Sequence, residues 1–301
     1  MTTFKEYLVE SAKPSKKQSI VHLEKMKPAE ALELLSSIAN ETSMHWKDLK
    51  LKLKVDGLGA RFGKDAHGHF FFESSRSGII QTSGAFSSYT AGKNSSELSI
   101  VRAKHYDELY EVLHKSKLWK SLPNDTKVIV ELLYNPMAEE SELGLKFVNI
   151  HYDKSKLGSE LTIVPLKVEV ASNGEQHPQE EKIIDKLLKQ STTKIKIINP
   201  QIGTQHTLDV SAALSPLKLL PNNAKELVNS LKHGDKAKKL ELTAILDVIK
   251  DQLASQVLAH SQAMLNHLDS NIGQDMEGVV IEWNGKKYKV TTAAFKKLLK
   301  K

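Results

Sequence analysis

The chain of 301 residues carries no cysteine, which excludes disulfides, thiolate metal sites and cysteine nucleophiles. Its 40% hydrophobic and 26% charged residues are those of an ordinary soluble protein, long enough for one large or two modest cores. A formal net charge of +7 and a pI near 9.2 suit a polyanionic partner, nucleotide phosphates or a nucleic acid; no apolar run approaches the roughly 20 residues of a membrane span and no signal-peptide pattern opens the chain, so the cytoplasm is the expected compartment.

Residues 4–11 and 22–39 are expected to be helical, the second with Leu23, Met26, Ala29, Leu32, Leu35 and Ile38 at helical spacing. A loop over 13–19 joins them, and 1–43 together are expected to cap the fold. Leu51, Leu53 and Val55 then alternate with Lys52, Lys54 and Asp56, the period of a half-buried strand. Gly57 and Gly59 follow, where a bare backbone can approach a ligand closely. Leu58 to Phe62 and His69 to Ser74 read as a hairpin around a turn at 64–68, in which His67 and His69 have no third ligand at metal spacing.

The serine-, glycine- and threonine-rich stretch 81–96 is expected to be a loop, and 105–120 a helix. Val128 to Leu133 reads as a buried strand with Glu131 in its middle, a carboxylate that must find partners. Strands are expected at Lys146 to Tyr152, Leu161 to Val170 and Lys194 to Ile198, with a short helix at 178–190. From 223 to 269 the pattern is helical, Leu246, Ile249 and Leu253 marking its apolar face. Finally Val279, Ile281 and Trp283 alternate with Val280 and Glu282, and Asn284-Gly285 is a two-residue hairpin signal. That turn sets Glu282 opposite Lys287 and Val280 opposite Lys289, so both lysines share one face. The tail from Phe295 reads as a short basic amphipathic helix.

Lys54 is a candidate covalent nucleophile. A lysine attacks phosphorus only as the neutral amine, so such a residue needs desolvation and nearby cations, here Lys52, to bring its pKa from roughly 10.4 toward about 7 to 8. Residues 51–61 alone fit solvated lysines on an edge strand equally well.

Six short motifs add to this reading: Lys54-Val55-Asp56-Gly57, Ser75-Arg76-Ser77-Gly78, Val128-Ile129-Val130-Glu131, Lys146-Phe147-Val148-Asn149-Ile150, Glu277-Gly278-Val279-Val280 and Lys287-Tyr288-Lys289. In this order they resemble the covalent nucleotidyltransferase superfamily of DNA ligases, RNA ligases and mRNA capping enzymes. The resemblance implies an α+β, antiparallel-rich, ATP-grasp-like adenylation domain. Its core would run over 44–170 and be completed by 275–292, with a mainly helical insertion at 171–274 and a basic tail at 293–301. It further implies that Lys54 attacks the α-phosphorus of ATP, giving a lysyl-AMP and pyrophosphate, and that AMP then passes to a nucleic-acid 5′-phosphate. Asp56, Gly57, Arg61 and Arg76 would contact the nucleotide, Phe147, with Tyr152 as its competitor, would stack on the purine, Glu131 would orient the ribose, Lys287 and Lys289 would neutralise the α-phosphate, and Glu277 would hold Mg2+. Lys54, Glu131, Glu277 and Lys289 are therefore expected around one ligand.

The pattern departs from the family in two places. Gly59 stands where many members carry arginine or asparagine, which is similar to the form found in NAD-dependent ligases, yet their upstream nicotinamide-binding domain is not recognisable. ATP is thus expected ahead of NAD or GTP. Only a dozen residues follow Lys289, so the oligonucleotide-binding barrel of most relatives is expected to be missing. The opening Thr-Phe-Lys-Glu-Tyr-Leu resembles the starts of small tailed-phage proteins. A phage protein that keeps this fold but binds nucleotide or nucleic acid without ligating is the alternative.

Overall fold

The computed structural model describes residues 20–42, 50–74, 78–91, 96–134, 161–200, 223–260, 277–291 and 295–296. Arg76 and its neighbours Ser75 and Ser77, Phe147 with the strand expected around it, the helix expected at 4–11 and the end of the one expected at 223–269 lie outside them. The chain is α+β and divides into two compact units. One is drawn from Asp56–Asn199, the other from Gln18–Val55 together with Pro200–Lys301.

In the first unit, strands β3 (Leu58–Lys64), β4 (Phe70–Ser74), β5 (Thr126–Tyr134), β6 (Leu161–Val170) and β7 (Ile195–Ile197) form a sheet of order β4-β3-β5-β6-β7. All neighbours are antiparallel except β6 and β7. Alternation sends Ala60, Phe62, Phe70, Phe72, Val128, Val130 and Leu132 into one core with Tyr106, Leu109 and Leu113 of α3 (Glu97–Ser116) and Ile183, Ile184 and Leu187 of α4 (Glu180–Leu188). Pro165 interrupts β6, and the β5–β6 register shifts beside it, between Ile129 and Val130. The irregularity accommodates a residue with no N–H to give to the ladder.

The stretch 81–96 is not simply a loop, because α2 (Ala85–Ala91) forms within it. Its start is held from a distance: the Asp107 carboxylate on α3 accepts from the backbone N–H of Phe86 at 3.0 Å and Ser87 at 2.9 Å. Helix α3 begins at Glu97 rather than near 105, since the Ser96 side chain caps it.

In the second unit, β1 (Val21–His22), β2 (Lys50–Lys54), β8 (Gly278–Trp283) and β9 (Lys286–Thr291) make a sheet of order β1-β9-β8-β2, with β1 parallel to β9. The helix expected over 22–39 starts only at Pro28, as α1 (Pro28–Thr42). Proline disfavours helical backbone at the residue before it and suits the first helical position itself, so residues 21–25 are released to pair as β1 and to turn. The 223–269 helix is broken at Gly234 and Asp235 into α5 (Ala224–His233) and α6 (Lys236–His260). Ala31, Leu32, Leu35 and Ile38 of α1, Leu246, Ile249 and Leu253 of α6, and Val279, Ile281 and Val290 of the sheet are all buried, and α6 packs on β9.

These units divide the chain differently from the expected cap, core and insertion. α1 supplies buried side chains to the second unit rather than capping a core at 44–170, and α4 and β7, expected within the insertion, belong to the first unit. Among the described residues no helix is long and apolar enough to cross a membrane.

Candidate functional site

Strands β2 and β8 run antiparallel with Lys54 opposite Gly278 and Lys52 opposite Val280. Across β8 and β9, Val280 faces Lys289 and Glu282 faces Lys287, the register that the Asn284-Gly285 turn demands. Both turn residues have positive φ, 47° and 70°. Residues opposed across a ladder share a face. Lys52, Lys54, Glu282, Lys287 and Lys289 therefore lie on one face of this sheet, and the buried Val279, Ile281, Trp283, Tyr288 and Val290 on the other.

Glu277 stands immediately before β8, and Gly278 explains how it reaches this face. Gly278 has a φ of 155°, and a Cβ there would collide with the carbonyl oxygen of Val290 in β9. Only glycine lets β8 begin so close to β9, and it leaves no side chain opposite Lys54. The buried Glu277 carboxylate occupies that region. Its Oε2 pairs with Lys54 Nζ at 2.9 Å, and its Oε1 accepts from Lys289 Nζ. Lys54 Nζ also donates to the carbonyl of Val55 at 2.8 Å.

Two ammonium groups meet on one carboxylate, with side chains 10 to 15% exposed. Such a cluster attracts a phosphate more strongly than the same charges do in water, because the effective dielectric constant is lower. Lys287, half-buried, adds a further cation on the same face. An ammonium engaged with a carboxylate is not a nucleophile.

The donor set also bears on Mg2+. A carboxylate has about four lone-pair positions, so Glu277 retains acceptor capacity beside its two lysines. Mg2+ is ordinarily held by one or two carboxylates plus substrate phosphates, and Glu277 offers one carboxylate of that kind. Among the described residues no group of three or more potential ligands gathers.

The remaining expected residues belong to the first unit. Arg61, on the sheet face opposite the core, pairs with Glu73 across β3 and β4 at 3.0 Å. Glu131 is 8% exposed and faces Gly59, where a Cβ would stand 3.6 Å from its Oε2. Asp56 is half-buried just before β3. Gly57 has a packing reason of its own: a Cβ there would lie 2.8 Å from Leu133 Cδ2 and 2.9 Å from the Leu132 carbonyl oxygen. His67 and His69 serve the hairpin turn, their backbone N–H groups donating to Asp65 Oδ1 at 2.9 and 2.8 Å.

One neighbour of the cluster escapes sequence reasoning. The pairing of β1 with β9 sets His22 opposite Lys289. A two-residue strand has no periodicity to detect, and its partner lies far along the chain.

No protein-family model matches this chain, and comparison with curated proteins finds no match.

Proposed function

We propose that the chain is an ATP-dependent nucleotidyltransferase of the polynucleotide-ligase kind, with an ATP-grasp-like adenylation fold, acting in the cytoplasm, that of the host if the chain is phage-encoded. The observation that carries this reading is the convergence of Lys54 and Lys289 on the two oxygens of Glu277. These residues come from three different strands or their ends and from three separate motifs of the proposed kinship. A fixed cationic pair beside a carboxylate is suited to receive an α-phosphate and Mg2+ together.

In the covalent step Lys54 first gives up a proton to solvent. Its Nζ lone pair then forms a bond to the α-phosphorus, the bond from that phosphorus to the bridging oxygen breaks, and the electron pair leaves with pyrophosphate. Loss of a second proton from Nζ leaves the phosphoramidate with an uncharged nitrogen. Lys289 and Lys287 supply positive charge where the phosphoryl oxygens gain negative charge. Mg2+ held by Glu277 would add charge neutralisation on the phosphates. Transfer of AMP to a nucleic-acid 5′-phosphate regenerates Lys54 and needs no further nucleophile from the protein. The roles of Glu131, Arg61, Arg76, Asp56, Gly57 and Phe147 in gripping the nucleotide rest on the resemblance alone.

The same ion pairs favour one second reading. A lysine held as an ammonium on a buried carboxylate is also what a non-ligating binding protein of this fold would retain as a salt bridge. Incubation of the protein with α-labelled ATP, and separately GTP, and Mg2+, followed by denaturing gel and acid treatment, separates the two. The covalent reading expects an acid-labile label that Lys54→Ala abolishes. Absence of label from folded protein with ATP, GTP and labelled NAD would leave the binding reading.

A further inference from the structure

Helices α1 and α5 pack against each other in the second unit and leave a groove of about 520 Å³ between them. A space of that size takes a small molecule. One wall carries an exception to the pattern of α1. Ala29, Leu32, Ser36 and Ala39 recur at helical spacing and are all buried, so they form one core-facing stripe. Ser36 is its polar member, 9% exposed, and its Oγ has no hydrogen-bond partner among the described residues. A buried hydroxyl ordinarily finds one, in a helix often the carbonyl one turn back. This residue lines the groove instead.

The first two turns of α5 supply the other wall, with Ala224, Lys225, Val228 and Asn229. The side chain of Asn223 does not cap this helix, so the N–H groups of the first turn keep the partial positive charge of a helix start. Glu226, in the same turn, is exposed and does not line the groove. Lys225 and Asn229 stand one turn apart, and neither side chain has a hydrogen-bond or ion-pair partner among the described residues. Two turns beyond Lys225, Lys232 is paired with Glu33 of α1 at 2.8 Å. The charge left over in the groove is therefore that of Lys225.

We propose that the groove between α1 and α5 binds a small organic anion, a carboxylate or phosphate carried on a short apolar body. The charged end meets Lys225 and the uncapped N–H groups at the start of α5, where a helix offers an anion both donors and favourable charge. Asn229 and Ser36 add hydrogen bonds, Ser36 gaining the partner that the protein does not give it. The apolar body lies on Ala224 and Val228, whose contact with water it replaces. This site does not depend on the covalent step at Lys54 and stands whether or not that lysine is nucleotidylated.

The test titrates the isotope-labelled full chain with butyrate, butyl phosphate, acetate and inorganic phosphate, followed by its backbone amide NMR signals. Saturable shifts at Ser36, Ala224 and Lys225 are expected, at lower concentration for butyrate or butyl phosphate than for acetate or inorganic phosphate. The tighter of the first two identifies the head group. Lys225→Gln removes the charge and is expected to weaken that binding by about tenfold, and Ser36→Ala, which removes one hydrogen bond, by about fivefold. Neither side chain has a protein partner to lose, so the thermal midpoint of each variant should stay within about 2 °C of wild type. Shifts that never saturate, or that fall equally on lysines elsewhere, overturn the site. So does an affinity that either variant leaves unchanged. Acetate and inorganic phosphate binding as tightly as their butyl counterparts would reject the organic ligand, since the apolar wall would then contribute nothing. A Ser36→Ala midpoint well below wild type, with binding retained, would assign the hydroxyl to packing and overturn its role here.

Discussion

Glu277 pairs one carboxylate with two ammonium groups, and the three side chains are 10 to 15% exposed. Removing that charge leaves two like charges close together with little water, which is the costly way to break a buried ion pair. Glu277→Gln is therefore expected to lower stability by about 3 kcal/mol, read as a fall in the urea midpoint. Replacing all three residues with apolar ones of similar volume should recover most of that loss, since no charge is then left buried. A negligible effect of Glu277→Gln would mean that water reaches the cluster freely. Asp65 gives a second residue-level expectation. Burial pushes its carboxyl pKa up, but hydrogen bonds from the His69 backbone, Gln81, the His69 ring and the His67 backbone outweigh this, and the group sits below the ordinary carboxylate value. A depressed folded pKa adds stability that is present above the unfolded value of about 3.9 and is lost as pH falls through the folded one. Asp65→Asn should thus flatten the loss of stability below about pH 4, measured by thermal midpoints across an acid series. Neither Asp65 nor Glu277 shows its partners in the sequence: the Glu-Gly dipeptide signals a tight approach, but which cations meet the carboxylate depends on pairings made elsewhere.

Elements with a strong local signal were legible. The β8–β9 hairpin follows from alternation plus Asn284-Gly285, and it fixes the face shared by Lys287 and Lys289 without any long-range information. β3, β4 and β5 follow likewise from alternation and their turn. Elements were misjudged where a distant group or a single proline decided the outcome. Composition alone makes 81–96 a loop, and it is the Asp107 carboxylate, on another helix, that lets α2 start. Apolar spacing continues through 22–27, but Pro28 sets the start of α1. The end of α3 carries a testable strain of the same local kind. Lys117 caps it in the left-handed region, with φ of 60° and ψ of 9°, where a Cβ is crowded and glycine is not. Its side chain is exposed, so Lys117→Gly is expected to raise stability by about 0.5 to 1 kcal/mol, seen as a higher thermal midpoint. A lower midpoint would show that the lysine side chain contributes more than the strained backbone costs.

At the scale of the whole molecule the two units differ in how the chain builds them, and this is what the sequence conceals. Every described strand and helix of the first unit falls within the continuous segment Asp56–Asn199, including its single core of sheet and helix side chains. The second unit is assembled from both sides of that segment: β1, α1 and β2 precede it, and α5, α6, β8 and β9 follow it. Periodicity reports each strand but not that β2 pairs with β8 or β1 with β9, across more than two hundred residues. The consequence is an asymmetry on excision. A fragment of residues 56–199 keeps its five strands, their partners and its buried aromatic and aliphatic side chains, so it is expected to unfold cooperatively on its own. A fragment of residues 200–301 keeps only the β8–β9 hairpin of its sheet, and an isolated hairpin is marginal in water. It also loses Ala31, Leu32, Leu35 and Ile38 from its core, so it should show no cooperative transition by circular dichroism. Adding a separate segment of residues 18–55 to it restores β1, α1 and β2, and with them the sheet that carries Lys52, Lys54, Glu277 and Lys289. Cooperative unfolding of that two-piece complex, absent from either piece alone, is the expected outcome; cooperative unfolding of residues 200–301 alone would mean that α5 and α6 on the hairpin suffice, and that β1 and β2 are added to a fold already formed.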